Sequence, residues 1–286
     1  MLDSHCHMQF HKFDEDCDAV IKEAFSKGLT HLVNTGTSIE SSRQAVELTK
    51  KYENTYTIVG IHPHHADKPH LSPLQDGEET GHPLRSGEGR GEDWLEQLEK
   101  IAKQPKVIGI GETGMDYFSY KSNGVVEKEL QEEAFRKQIE LSIKLGLPLQ
   151  IHNRLAWNDV LSVLSDYKQE LQNPPGMFHC FSGDIAFTKK VLETGFLVGF
   201  DGNITYGGIP PKETTALVDL VKYVPADMIL TETDSPFLSP VPLRGRRNTP
   251  SNIKLILDFI AKEKGVNYNT LEAQIERNFR SLFSVS

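Results

Sequence analysis

Short apolar and β-branched runs recur along the chain, and after each one the spacing of apolar residues changes to every third or fourth position. Eight runs have strand character: "MLDSH", "THLVNTG", "TYTIVGIH", "KVIGIGE", "LPLQIH", "GMFHCF", "FLVGF" and "DMILTETD". Helical spacing between and beyond them predicts helices near 14–28, 38–53, 91–104, 127–146, 156–170, 184–194, 212–223, 251–264 and 268–283. The clearest is "EKELQEEAFRKQIELSIKLGLP", where Leu130, Ala134, Phe135, Gln138, Leu141 and Leu145 form one stripe and Gly146 marks the stop. Strand and helix alternation implies parallel strands joined by right-handed crossovers. Eight units in 286 residues predict an α/β fold, a (β/α)8 TIM barrel forming a single domain over 1–286. A nucleotide-binding open sheet would need a glycine-rich first turn, and "HCHMQF" has no glycine. The segment 66–92 breaks the pattern: rich in Gly, Pro and charge, it predicts a mobile surface excursion after the third strand.

The polar residues that interrupt these runs fall at their carboxyl ends. His5 and His7 end the first, His62 the third, Glu112 the fourth, His152 the fifth, His179 the sixth and Asp234 the eighth. In a barrel those ends converge on one mouth, so residues far apart in sequence share a pocket. Imidazoles and carboxylates meeting there suit divalent cations and hydrolysis by a metal-activated water. The expected arrangement has His5, His7 and Asp234 on one ion, His152 and His179 on a second, and Glu112 bridging. Zn²⁺ and Mn²⁺ suit imidazole and Mg²⁺ suits oxygen, so the residues leave the metal among these three. Cys6 and Cys180 adjoin ligands, but strand alternation turns them away and predicts packed thiols. His11, His31, His64, His65, His70 and His82 are expected at the surface or rim. Gly111, Gly114 and Gly183 serve either an oxyanion cradle or tight turns. Arg154, Arg244 and Arg247 are candidate phosphate clamps.

Composition narrows the class. A 25% charged chain with mean hydropathy −0.40 is a folded, water-exposed protein. No window approaches the ~18 apolar residues of a membrane span, and no secretory signal is readable. Three cysteines give no disulfide framework, so a cytoplasmic location is expected. A net charge of −9 opposes long-range capture of a polyanion, so phosphate binding must be local, through metal and arginine. No amphipathic segment remains after the barrel helices are assigned, so no protein partner is predicted.

The ordered series "DSHCH", "GIHPH", "GETGMDY", "IHNRLAWND", "FHCFSG", "TETDSPFLSP" and "RGRRNTPSNI" resembles the TatD family of metal-dependent deoxyribonucleases, among the amidohydrolase-like TIM barrels. The resemblance spans the whole chain. It implies that His5, His7, Glu112, His152, His179 and Asp234 are metal ligands and that Asp234 also accepts the proton of the attacking water; from their strand ends, Glu112 is expected to be the second catalytic carboxylate and His62 to contact substrate. It implies cleavage of DNA, as a 3′–5′ exonuclease on single strands. Met115 replaces the family's usual leucine, a swap of similar volume, and the 66–92 excursion is longer than usual. The same centre also suits a second reading, hydrolysis of a small amide, lactone or phosphoester.

Overall fold

The computed structural model describes residues 1–70, 94–119 and 124–285. All eight expected strands are present: β1 (Leu2–Cys6), β2 (His31–Thr35), β3 (Thr55–Val59), β4 (Val107–Asp116), β5 (Leu149–Arg154), β6 (Gly176–Phe178), β7 (Leu197–Phe200) and β8 (Ile229–Thr231). They pair in parallel, in chain order, in one sheet. The chain beyond β8 lies on β1. Cys6 bridges Ser235, the His7 amide donates to the Ser235 carbonyl (2.7 Å), and the Asp234 amide to the His5 carbonyl (3.0 Å). The sheet is thereby a nearly closed TIM barrel.

Helices α1 (Cys17–Ser26), α2 (Ile39–Thr49), α3 (Trp94–Ala102), α4 (Lys128–Leu145), α5 (Trp157–Asp166), α6 (Ile185–Glu193), α7 (Leu217–Tyr223) and α8 (Ile253–Lys264) surround it. A last helix, α9 (Tyr268–Phe283), covers the end where strands begin: Asn278 donates to the carbonyl of Ile229, and Glu272 pairs with the Met1 amine. Caps account for several ends. Ser38 accepts from the Ser41 amide at the start of α2, and Gly146, at φ 64°, stops α4 as its sequence predicts.

Four expectations change. β4 does not stop at Glu112 but runs on to Asp116, because the segment after Glu112 pairs with β5 from Ile151 to Arg154. The stripe on α4 is shifted: Leu130 is exposed, while Gln131 and Gln138 are buried. The region 212–223 is helical only from Leu217. His31 and His65 are buried rather than at the rim. The His31 ring packs on Tyr56 and Phe279 beneath α9, and His65 donates through Nδ1 to the Thr37 carbonyl (2.8 Å). Of the 66–92 excursion, residues from 71 onward lie outside the described residues, as does His82. Among the described residues no helix is long and apolar enough to cross a membrane.

Candidate metal centre

The mouth holds two histidine corners joined by Glu112. In the first, two-residue alternation turns His5, on β1, and His7, just beyond its end, to the same side. The Nδ1 of His5 lies 2.8 Å from Gln150 Oε1, and that of His7 lies 2.8 Å from the Thr35 carbonyl. A carbonyl oxygen only accepts, so both rings carry hydrogen on Nδ1. Their two Nε2 atoms meet at 3.0 Å, with Asp234 Oδ1 3.5 and 3.4 Å away. Asp234 reaches this point because the seam bonds fix its backbone against His5.

The second corner is built from β4, β5 and the residue that follows β6. His152 directs Nε2 to Asp116 Oδ2 (3.0 Å), which leaves Nδ1 facing Glu112 Oε1 (2.8 Å) and His179 Nε2 (3.1 Å). His179 Nε2 is itself 2.7 Å from Glu112 Oε1, and its ring stacks on His5 at 4.0 Å. The other Glu112 oxygen, Oε2, faces the first corner, 3.8 Å from His5 and 3.7 Å from His7. His62 approaches Glu112 Oε1 at 3.4 Å, and His64 approaches Asp116 at 3.2 Å.

Charge is distributed unevenly across the centre. Burial, reinforced by His179, lowers the His5 pKa to about 4, and burial lowers that of His62 to about 3. Burial also opposes charge on His152, but hydrogen bonds to Asp116 and Glu112 outweigh it and push the pKa up to about 10. His7 is raised: burial again opposes, and Asp234 prevails. Despite burial, Glu112, Asp116 and Asp234 are held below the usual carboxylate range by the histidines around them. Behind the mouth, burial raises Asp3 and Asp201 to about 7 and Glu232 well above its ordinary value.

Neighbouring elements hold this geometry. Gln131 and Gln138 of α4 clip the barrel rim, each by a pair of bonds to one residue's amide and carbonyl: Asp116 (2.8 and 3.0 Å) and Ile61 (2.7 and 3.0 Å), beside His62. These polar residues sit on the buried face because strand-end backbone there needs partners. Gly111 and Gly114 permit close approach of β4 to β5. A Cβ on Gly111 would lie 2.5 Å from the Gln150 carbonyl, and one on Gly114 would strike that of His152, at φ +156° and +137°.

The structure therefore gathers His5, His7, His62, Glu112, His152, His179 and Asp234 at one place. Arg154, Arg244 and Arg247 stand outside it. Arg154 lies over the Phe118 ring (3.9 Å) and Arg244 over Tyr206 (4.1 Å), while Arg247 forms a fork with Asp16 (2.9 and 2.6 Å). Cys6 is a packed thiol bonded to the Val33 carbonyl, and half-buried Cys180 receives a bond from Asn203. The sequence pattern did not single out Asp116, His64, Gln150 or Glu232. Two-residue periodicity holds the signal for three of them: Asp116 is four past Glu112, and Gln150 and Glu232 are two before His152 and Asp234. Glu232 accepts from the Cys180 amide and lies 3.8 Å from His179 Nδ1.

These donors fit divalent cations. Two nitrogens bound to one ion at ~2.1 Å lie about 3.0–3.4 Å apart, and each ligand ring has its other nitrogen turned elsewhere. Among the described residues, three groups have one ligand atom per residue within 4.8 Å of each other: His5, His7 and Asp234; His5, Glu112 and His179; His62, Glu112 and His152. A barrel that brings imidazoles and carboxylates together at its strand ends in this way is a metal-dependent hydrolase. The chain belongs to the TatD related DNase family, whose pattern it matches over residues 2–284. It is 30% identical over 287 residues to YabD of Bacillus subtilis, described as an uncharacterized metal-dependent hydrolase, with all of both chains covered. It is 29% identical to the 3′-5′ ssDNA/RNA exonuclease TatD of Salmonella typhimurium, covering all of this chain and 99% of that one. The crystal structure of YjjV, a TatD homolog from Escherichia coli, superposes with TM-score 0.81 at 23% identity, covering all of this chain and 98% of that one; this likeness shows the fold.

Proposed function

We propose that this chain is a 3′–5′ exonuclease that hydrolyses terminal phosphodiester bonds of single-stranded DNA, using two divalent cations drawn from Mg²⁺, Mn²⁺ or Zn²⁺. The observation that carries the reading is the meeting of His5 and His7 Nε2 at 3.0 Å, each ring bonded at its other nitrogen to a pure acceptor. With hydrogen on each Nδ1, both Nε2 atoms aim at one point beside Asp234, where a cation would replace the proton that Asp234 favours on His7. His5, His7 and Asp234 would hold the first ion, His152 and His179 the second, and Glu112 would offer one oxygen to each. Bound there, the ions supply Lewis acidity, which offsets charge developing on phosphate and makes water acidic enough to attack near neutral pH. Asp234, ionised at neutral pH, is placed to take that water's proton. His62, uncharged at neutral pH, orients phosphate by hydrogen bonding rather than by charge.

Paired cations and rings on segments that follow the strands support a single-stranded substrate. Phe118 carries Arg154 (3.9 Å) and Lys212 (5.3 Å), Tyr206 carries Arg244 (4.1 Å), and Phe237 carries Lys12 (5.1 Å) beside Phe10. Unpaired bases stack on such rings while the cations meet phosphates. That local positive charge answers the net −9 of the chain. Three free cysteines suit a reducing compartment, so we place the reaction in the cytoplasm.

The test uses chelator-stripped protein, end-labelled single-stranded DNA and each metal added back, with Asp234→Asn alongside. Stepwise shortening that needs metal, and that the variant slows by about a thousandfold, is the expected outcome. Intact DNA under every metal would transfer the site to a small amide, lactone or phosphoester.

A further inference from the structure

We propose that Gln150 is a positioning residue of the metal centre, whose side-chain oxygen fixes the Nδ1–H tautomer of His5 and so aims the Nε2 lone pair at the first cation. This rests on the placement of that cation at His5, His7 and Asp234.

The orientation of the amide is determined by its neighbours. Oε1 receives His5 Nδ1 (2.8 Å) and the Thr35 hydroxyl (3.1 Å), and Nε2 donates to the Ser4 carbonyl (3.0 Å). A flipped amide would set its oxygen against the Ser4 carbonyl, two acceptors with no hydrogen between them, and would lose that bond. Backbone packing holds the residue itself: β4 crosses it at Gly111, so close that a Cβ there would lie 2.8 Å from the Gln150 Cβ. Both Gln150 and His5 are fully buried, so solvent is not available to replace the acceptor. An apolar side chain would fill the same space and leave His5 free to carry its hydrogen on Nε2, where it would point at the cation.

Gln150 stands two residues before His152, on the same face of β5. One strand therefore serves both corners, giving a ligand to one and a ligand's partner to the other. The two partners differ in charge. His152 leans on the carboxylate of Asp116, which strengthens a ring as a metal donor; His5 leans on a neutral amide, which sets direction without that strengthening. The cation of the β1 corner is accordingly the more weakly held and more readily exchanged of the two.

The experiment titrates metal-stripped wild type, Gln150→Met, Gln150→Glu and Thr35→Val with Zn²⁺ or Mn²⁺ against a chromophoric chelator, in the absence of nucleic acid. Gln150→Met should weaken one ion about ten- to hundredfold and leave the other within about threefold. Gln150→Glu keeps an acceptor opposite His5, and Thr35→Val removes only the second bond to the same oxygen. Thr35→Val should stay within about threefold of wild type, and Gln150→Glu, which adds the kind of charge that Asp116 gives His152, should bind that ion at least as tightly as wild type. Long-range ¹⁵N spectra of His5 should show the Nδ1–H tautomer in wild type and in the glutamate variant, and its loss in the methionine variant. Wild-type binding by Gln150→Met, equal losses in the methionine and glutamate variants, or equal weakening of both ions would each overturn the proposal. A wild type that binds ions yet leaves DNA intact would sink the nuclease reading and leave this one standing.

Discussion

His5 and His152, one in each histidine corner, are the same kind of ligand and treat their proton in opposite ways. His5 faces Gln150 and has its pKa lowered to about 4, whereas His152 lies between Asp116 and Glu112 and is raised to about 10. Burial disfavours the charged ring in both. The difference comes from what each ring leans on: an amide fixes which nitrogen bears hydrogen, while a carboxylate also stabilises the positive charge. At His5 the site is thus prepared for a cation by geometry, and at His152 by charge, with a proton standing in until metal arrives.

Removing the charge difference should have the largest effect. Asp116→Asn keeps the bond to His152 and deletes the carboxylate, so one ion should bind about ten- to hundredfold more weakly while the other is unchanged. Equilibrium titration of the stripped variant measures this, and unaltered affinities would erase the distinction between the corners.

Protons give the next effect. Metal entering the β5 corner must displace the proton on His152, so at neutral pH loading should release it, and affinity there should climb about tenfold per pH unit until about pH 10. His5 adds no such dependence near neutrality. Calorimetry in buffers of different ionisation enthalpy counts the protons; no release would contradict the assignment. For the metal-free fold the linkage has a defined sign. A His152 pKa raised from 6.5 to about 10 contributes stability that is complete below pH 6.5 and lost as pH rises through 10. The apo Tm should carry that fall.

The smallest effect concerns the arginines flanking the corners. Arg154→Ala, at the end of β5, should reduce the salt slope of DNA binding by about one. Arg247→Ala, beyond β8, should leave the slope near the wild-type value, because its guanidinium is already neutralised by Asp16. A binding isotherm at several salt concentrations separates the two.

Much of this is legible in the sequence, for a physical reason. Fully buried parallel strands tolerate few polar residues, so His5, His152 and Asp234 stand out within "MLDSH", "LPLQIH" and "DMILTETD". What escaped notice were residues whose polarity is satisfied within the protein. Asp116 lies beyond two glycines that mimic a strand end, and Gln131 and Gln138 bond to rim backbone from a face otherwise apolar. His31 and His65 are ordinary histidines until α9 and the Thr37 carbonyl enclose them, contacts that sequence spacing does not encode. Arg247 sits in an exposed basic run whose partner, Asp16, is distant in sequence.

The seam between β1 and the end of β8 has a consequence in time. His5 and His7 leave the ribosome well before Asp234, which emerges roughly two hundred residues later. At about 5–20 residues per second, that interval is on the order of ten seconds or more. Until the last strand reaches the first, no truncated or half-synthesised chain assembles the His5, His7 and Asp234 group. A reactive centre is thereby withheld from the nascent polypeptide, and its completion reports that translation has reached the far side of the barrel.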